Sequence, residues 1–186
     1  MANRNSAGFG LVEAMRVGNT PSIQGQSKYD IDAGETNAIF HGEPVKVDIS
    51  TSTGGYLVTA AAGTAMVGVL NGVVFTDATT KKPTFSNFYP AATTPANSED
   101  ITAFVNDDPF QEYIISADAT LGGTLALRKS KIGLTYATTA ATTAKQLRMV
   151  RVAEDPENKD QTAANCSVVV KVNLHQYTVG SLATGI

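Results

Sequence analysis

The chain has 186 residues, of which 42% are hydrophobic and 17% charged, with a formal net charge of −3. A chain of this length buries roughly 70% of its unfolded surface, enough for one good core, and its slight net charge does not suggest nucleic-acid binding, which needs a basic stripe. The single cysteine excludes an intrachain disulfide and a cysteine-based metal site, and no run reaches the roughly 20 apolar residues of a helical membrane span.

Few charges, many β-branched residues and regular Gly or Pro punctuation favour sheet over helix. The expected fold class is all-β, a small barrel or a sandwich. Residues 1–28 behave differently from the rest. Gly8, Gly10, Gly18, Pro21 and Gly25 interrupt any regular element, so at most 11–16 forms a helical turn or two. Phe9, Leu11, Val12, Met15, Val17 and Ile23 meanwhile supply apolar anchors with no period that would bury them locally. An arm of this composition is ordered by a partner, another copy or a larger assembly. The expected division is therefore an extended N-terminal arm, 1–28, and a β body, 29–186. The opening residues do not have the pattern of a signal peptide, so a cytoplasmic folding environment is expected.

In the body, 28–31 reads as a short strand. Val45, Val47 and Ile49 alternate with Lys46, Asp48 and Ser50, a half-buried strand. Gly54-Gly55 returns the chain into 56–60 as a hairpin. The densest apolar stretch follows at 66–90. Val67, Val69, Val73 and Phe75 fall on one face of a strand and Gly68, Gly72 and Thr76 on the other, where small groups admit a close backbone. Residues 78–82 form a polar loop, and Pro83 opens a second, antiparallel strand over 84–89. Asn71-Gly72 interrupts the first strand. It reads as a bulge, with a turn as the alternative, because Asn-Gly is also the strongest two-residue hairpin signal.

Strands are expected at 101–105, 110–117 and 124–127. The Thr/Ala tract within 134–143 reads as a strand end and exposed loop. Residues 146–153 form a strand whose apolar register slips between Met149 and Val150, and 167–177 is the longest clean strand. Cys166 lies in register with Val168, Val170, Val172 and Leu174, so a buried structural thiol is expected. His175 falls on the polar face with Lys171 and Asn173, which makes it a surface histidine.

The chemistry-bearing patterns are absent. There is no Gly-x-Ser-x-Gly elbow and no phosphate-cradling Gly-rich loop, and two histidines are too few for a zinc site. Asp30 with Asp32, Asp107-Asp108 before Pro109, and the loop of Asp155, Glu157 and Asp160 are the acidic groups to weigh. Turn formation explains Asp107-Asp108, and the last loop lacks the glycine of a calcium turn. The residues point to no enzyme, no cofactor and no small-molecule substrate.

The strings GVLNGVVFTDATTKKPTFSNFYP and AFVNDDPFQEYIISA, together with the opening ANRNSAGFGLVEAMRVGN, resemble small virion proteins of marine short-tailed phages. Those proteins look like head decoration, or cement, proteins, which coat the assembled capsid. The likeness is weakest over 133–164. It implies a β-barrel body, a place on the outer capsid surface after synthesis in the host bacterial cytoplasm, and no catalytic residues. The implied partners are the major capsid protein and other copies of the chain, with no nucleic acid or membrane. A head fibre or tail adhesin is the alternative. The expected capsid or subunit contacts are Phe9, Leu11, Val12 and Met15 of the arm, buried between chains, with Phe85, Phe88 and Tyr89 at the aromatic end of the central hairpin as the second contact or as core.

Overall fold

Strands that alternate apolar and polar residues need hydrogen-bonded neighbours to hide one face. The computed structural model supplies them, describing residues 10–18, 20–22, 25–49, 54–116, 131–132, 146–154, 158 and 166–179. The strands are β1 (Val12–Arg16), β2 (Thr20–Pro21), β3 (Ser27–Ile31), β4 (Pro44–Val47), β5 (Leu57–Thr59), β6 (Gly68–Thr76), β7 (Pro83–Ser86), β8 (Ile101–Asn106), β9 (Gln111–Ser116), β10 (Lys131–Ile132), β11 (Leu147–Val152) and β12 (Ser167–Val172), with one helical turn, α1, at Gln176–Val179. The class is all-β, as expected, in two antiparallel sheets, and no closed barrel forms among the described residues.

The chain divides into two compact units. The first takes Met1–Ile23, Ala61–Ala65 and Pro109–Ile186, and the second Gln24–Ala60 and Met66–Asp108. The N-terminal segment belongs with the C-terminal half, because β1 pairs antiparallel with β9, Val12 opposite Ile114 and Glu13 opposite Tyr113. Backbone pairing with a distant strand is invisible to a reading that looks for local periodicity.

In the first unit the strand order is β10-β11-β12-β9-β1-β2. The slip foreseen in 146–153 is present, as a register shift between Met149 and Arg151 where β11 meets β12. Cys166 is fully buried, as its register predicts. Val168, Val169 and Val170 are all buried, so β12 is covered on both faces rather than one. Glu112 of β9 is buried and accepts a 2.7 Å hydrogen bond from Arg151 Nη1, the pairing that a buried carboxylate requires. Asn158 ties the end of β11 to the start of β12: Nδ2 donates to the carbonyls of Ala153 and Ser167, and Oδ1 accepts from the Ser167 N–H.

The strand expected over 167–177 stops at Val172. The Asn173 and Leu174 N–H groups turn back to the Gln146 carbonyl, and α1 follows. His175 is consequently buried, not exposed. Its Nδ1 accepts from the Tyr177 N–H at 3.2 Å, and its ring packs on that of Tyr177. The strand expected at 124–127, the Thr/Ala tract, and Asp155, Glu157 and Asp160 lie outside the described residues.

In the second unit the order is β3-β8-β6-β4-β5, with β7 also paired to β6. The expected central hairpin is present, Val73 opposite Ser86 and Thr76 opposite Pro83. The Asn71-Gly72 alternative resolves as a bulge: Leu70 pairs with Val105 and Gly72 with Phe104, leaving Asn71 as the extra residue. A Cβ at Gly68 would run into the backbone carbonyl of Asn106, the close approach its missing side chain permits. Ile31, Ile39, Val45, Leu57, Val67, Leu70, Val73, Tyr89, Ile101, Ala103 and Val105 form the core. β4 ends at Val47, so Ile49 lies beyond the half-buried strand that its alternation suggested and is exposed.

Candidate functional site

The site is assembled where the segment 39–43 crosses the bulge of β6. Ile39 and Tyr89 form an isolated antiparallel bridge in which each N–H donates to the other's carbonyl, at 3.1 and 2.8 Å. Both side chains are fully buried. Alternation along a strand then turns their neighbours the other way. Phe40 and Phe88 stand on the outside with rings stacked, centroids 6.0 Å apart and planes within 15°. A tight turn fixes Phe40: its N–H donates to Glu43 Oε2, and the Glu43 N–H donates back to its carbonyl. Gly42 occupies the turn at φ +79°, a conformation glycine adopts without strain. Its N–H donates to the Leu70 carbonyl, and the Leu70 N–H donates to the Glu43 carbonyl.

A further exposed ring comes from β7. Phe85 pairs with Val74 and leans diagonally over Gly72, where a Cβ would stand 2.8 Å from its Cζ. Phe85 is 67% exposed, Phe40 59% and Phe88 38%, while Tyr89 is 0%. His41, also exposed, sits beside them with Nδ1 3.2 Å from the Asn71 carbonyl oxygen. The carbonyl can only accept, so Nδ1 carries the proton.

Of the seven residues expected to make capsid or subunit contacts, the structure separates the groups. Phe85 and Phe88 are outward-facing. Tyr89 is core, its hydroxyl donating to the Glu35 carbonyl at 2.9 Å, and burial raises its pKa. Leu11 is buried within its own chain rather than between chains. Val12 and Met15 are exposed on β1, and Val17, whose N–H donates to the carbonyl of exposed Phe110, extends that apolar strip. Phe9 lies outside the described residues. Phe40 went unrecognised in the sequence because Ala38-Ile39-Phe40 reads as one apolar run with no indication of which residue faces out.

The polar groups of the second unit are used structurally. Asp77 Oδ1 accepts from the Thr79 and Thr80 N–H groups and the Thr80 hydroxyl, closing the β6–β7 loop. The Thr80 N–H is the main reason its pKa is lowered. Asp107 accepts from the Tyr29 hydroxyl. The Asp100 charge, with smaller contributions from Asp32 and Asp30, raises the pKa of Tyr56. Among the described residues no three His, Cys, Asp or Glu side chains are grouped to hold a metal ion, and no helix is long and apolar enough to cross a membrane.

Compared with known proteins, the sequence matches no family model and no curated protein, and the fold matches no solved structure.

Proposed function

We propose that this chain is a structural virion protein that binds the outside of a phage capsid and stabilises it, with the major capsid protein as its partner. The supporting observation is the outward-facing stacked pair of Phe40 and Phe88, with Phe85 of β7 exposed as well. A stacked pair of aromatic rings held partly in water beside a sheet is a candidate interaction surface by chemistry: apolar, rigid, and ready to fill a pocket. The capsid as occupant rests on the resemblance of the surrounding string, which contains β6, β7 and Phe88, to decoration proteins. Many copies on one shell need only moderate affinity each if a copy bridges two capsomers, since the second contact is then effectively intramolecular. The exposed Val12 and Met15 of β1 offer a second apolar contact of that kind.

The test is co-sedimentation of the full chain with purified capsids of its phage. A Phe85→Ser, Phe88→Ser double variant keeps its melting transition and is lost from the capsid pellet. Equal retention of variant and wild type refutes docking through this cluster.

A further inference from the structure

We propose that the outer face of the second unit's sheet pairs with the same face of a second copy, Lys28 of each chain against Asp30 of the other. Register fixes what this face carries. Ile31, Ala103, Val105 and Val73 belong to the core, so the residues alternating with them point out. In one cross-strand row Lys28 of β3 stands opposite Phe104 of β8, and Phe104 opposite Gly72 of β6. In the next row Asp30 stands opposite Thr102, Thr102 opposite Val74, and Val74 opposite Phe85 of β7. Lys28, Asp30 and Phe85 are exposed, and Phe104, Thr102 and Val74 are half-buried. The face thus has an apolar middle with its charges on the β3 border, the arrangement of an interface with a dry centre and a polar rim.

The charges decide which partner fits. Lys28 and Asp30 lie one row apart on that border with opposite signs. Past Asp30 the negative charge deepens. Asp32 and Asp100 are exposed, the Tyr56 hydroxyl donates to the Asp100 carboxylate at 3.3 Å, and the charges of Asp100, Asp32 and Asp30 all raise the Tyr56 pKa. A uniformly basic surface laid on this face would meet Lys28, and a uniformly acidic one would meet the carboxylates. The same face of another copy avoids both conflicts. A two-fold axis in the plane of the interface, crossing the strands between the two rows, exchanges one row for the other. It sets Lys28 against Asp30 twice and brings Phe104 onto Thr102. It also lays Val74 against the Phe85 ring that leans over Gly72. Two rows on four strands make a small interface, so the expected dimer is a weak one.

The experiment is sedimentation velocity of the full chain, without capsid, over a concentration series at low salt. The expected result is a monomer–dimer equilibrium that weakens as salt is raised. Lys28→Glu and Asp30→Lys, each with an unchanged melting transition, each raise the dissociation constant at least roughly tenfold, because like charges then face each other. An equimolar mixture of the two variants regains wild-type association, as does the double variant Lys28→Glu, Asp30→Lys, since either restores opposite signs across the axis. A wild-type chain that stays monomeric into the millimolar range overturns the proposal. So does a dimer indifferent to the single variants, which would lie on another surface, and so does failure of both the mixture and the double variant to recover. Lys28 and Asp30 play no part in the docking reading and no capsid is present, so loss of the dimer and loss of capsid binding are separate outcomes.

Discussion

Two apolar segments stand out in this sequence, the N-terminal run around Leu11 and the aromatic end of the central hairpin, and the fold treats them in opposite ways. The N-terminal run is drawn into its own chain: Leu11 is buried, and β1 is an inner strand between β9 and β2. The hairpin end presents Phe85 to water from β7 and Phe88 from the bend that follows it, while Tyr89 alone turns into the core. Broken local periodicity therefore does not mark a free arm, since a strand's partner can lie about a hundred residues away. A regular strand, conversely, does not bury all its aromatics, because one face in two must point outward.

The sharpest way to test that contrast uses two adjacent residues. Tyr89→Ala removes a fully buried ring and leaves the Glu35 carbonyl without its hydroxyl donor, so about 3–5 kcal/mol of stability is lost in urea unfolding. Phe88→Ala removes only a stacked, partly exposed ring, a loss of about 1 kcal/mol. Equal losses at the two positions would mean that the alternation of faces is misassigned.

Leu11→Ala comes next. Burial in its own unit predicts a loss of about 2–5 kcal/mol in the isolated protein, with no partner present. A variant as stable as wild type would restore the picture of an arm that is ordered only on a capsid.

The smallest effect is electrostatic. Hydrogen bonds from Thr80 and Thr79 lower the Asp77 pKa in the folded chain. Its contribution is therefore present above the carboxyl's unfolded value and is lost as pH falls through the lower folded one. Asp77→Asn should flatten the acid limb of the pH–stability curve slightly and leave the neutral region unchanged.

Much of the second unit was legible because its signals are local. Pro83 opening a strand, the alternation at Val45 and Val47, and small residues at Gly68 and Gly72 each follow from sterics within a few residues. What escaped depends on the far side of the fold. His175 follows β12 in sequence and in apparent register, yet turning of the chain after Val172 onto the Gln146 carbonyl takes it off the strand and buries it. Phe40 differs from Ile39 only by which way one bridge to Tyr89 faces. Ile49 continues an alternation that the hairpin ends before it can be used. The stacking of Phe40 on Phe88 was not legible, because a ring's neighbours across a bridge leave no mark on its own segment.

The pairing of β1 with β9 has a consequence for how the protein is made. The second unit draws on Gln24–Ala60 and Met66–Asp108 and needs nothing synthesised later, whereas Val12 must wait for Ile114. At roughly 5–20 residues per second, translation of the intervening chain takes about 5–20 s. Throughout that time the N-terminal segment exposes Leu11, Val12, Met15 and Val17 with no sheet to join. The nascent chain thus carries a sticky segment at β1 until β9 has been made, and termination before β9 should yield aggregates that associate through β1, however well the second unit has folded.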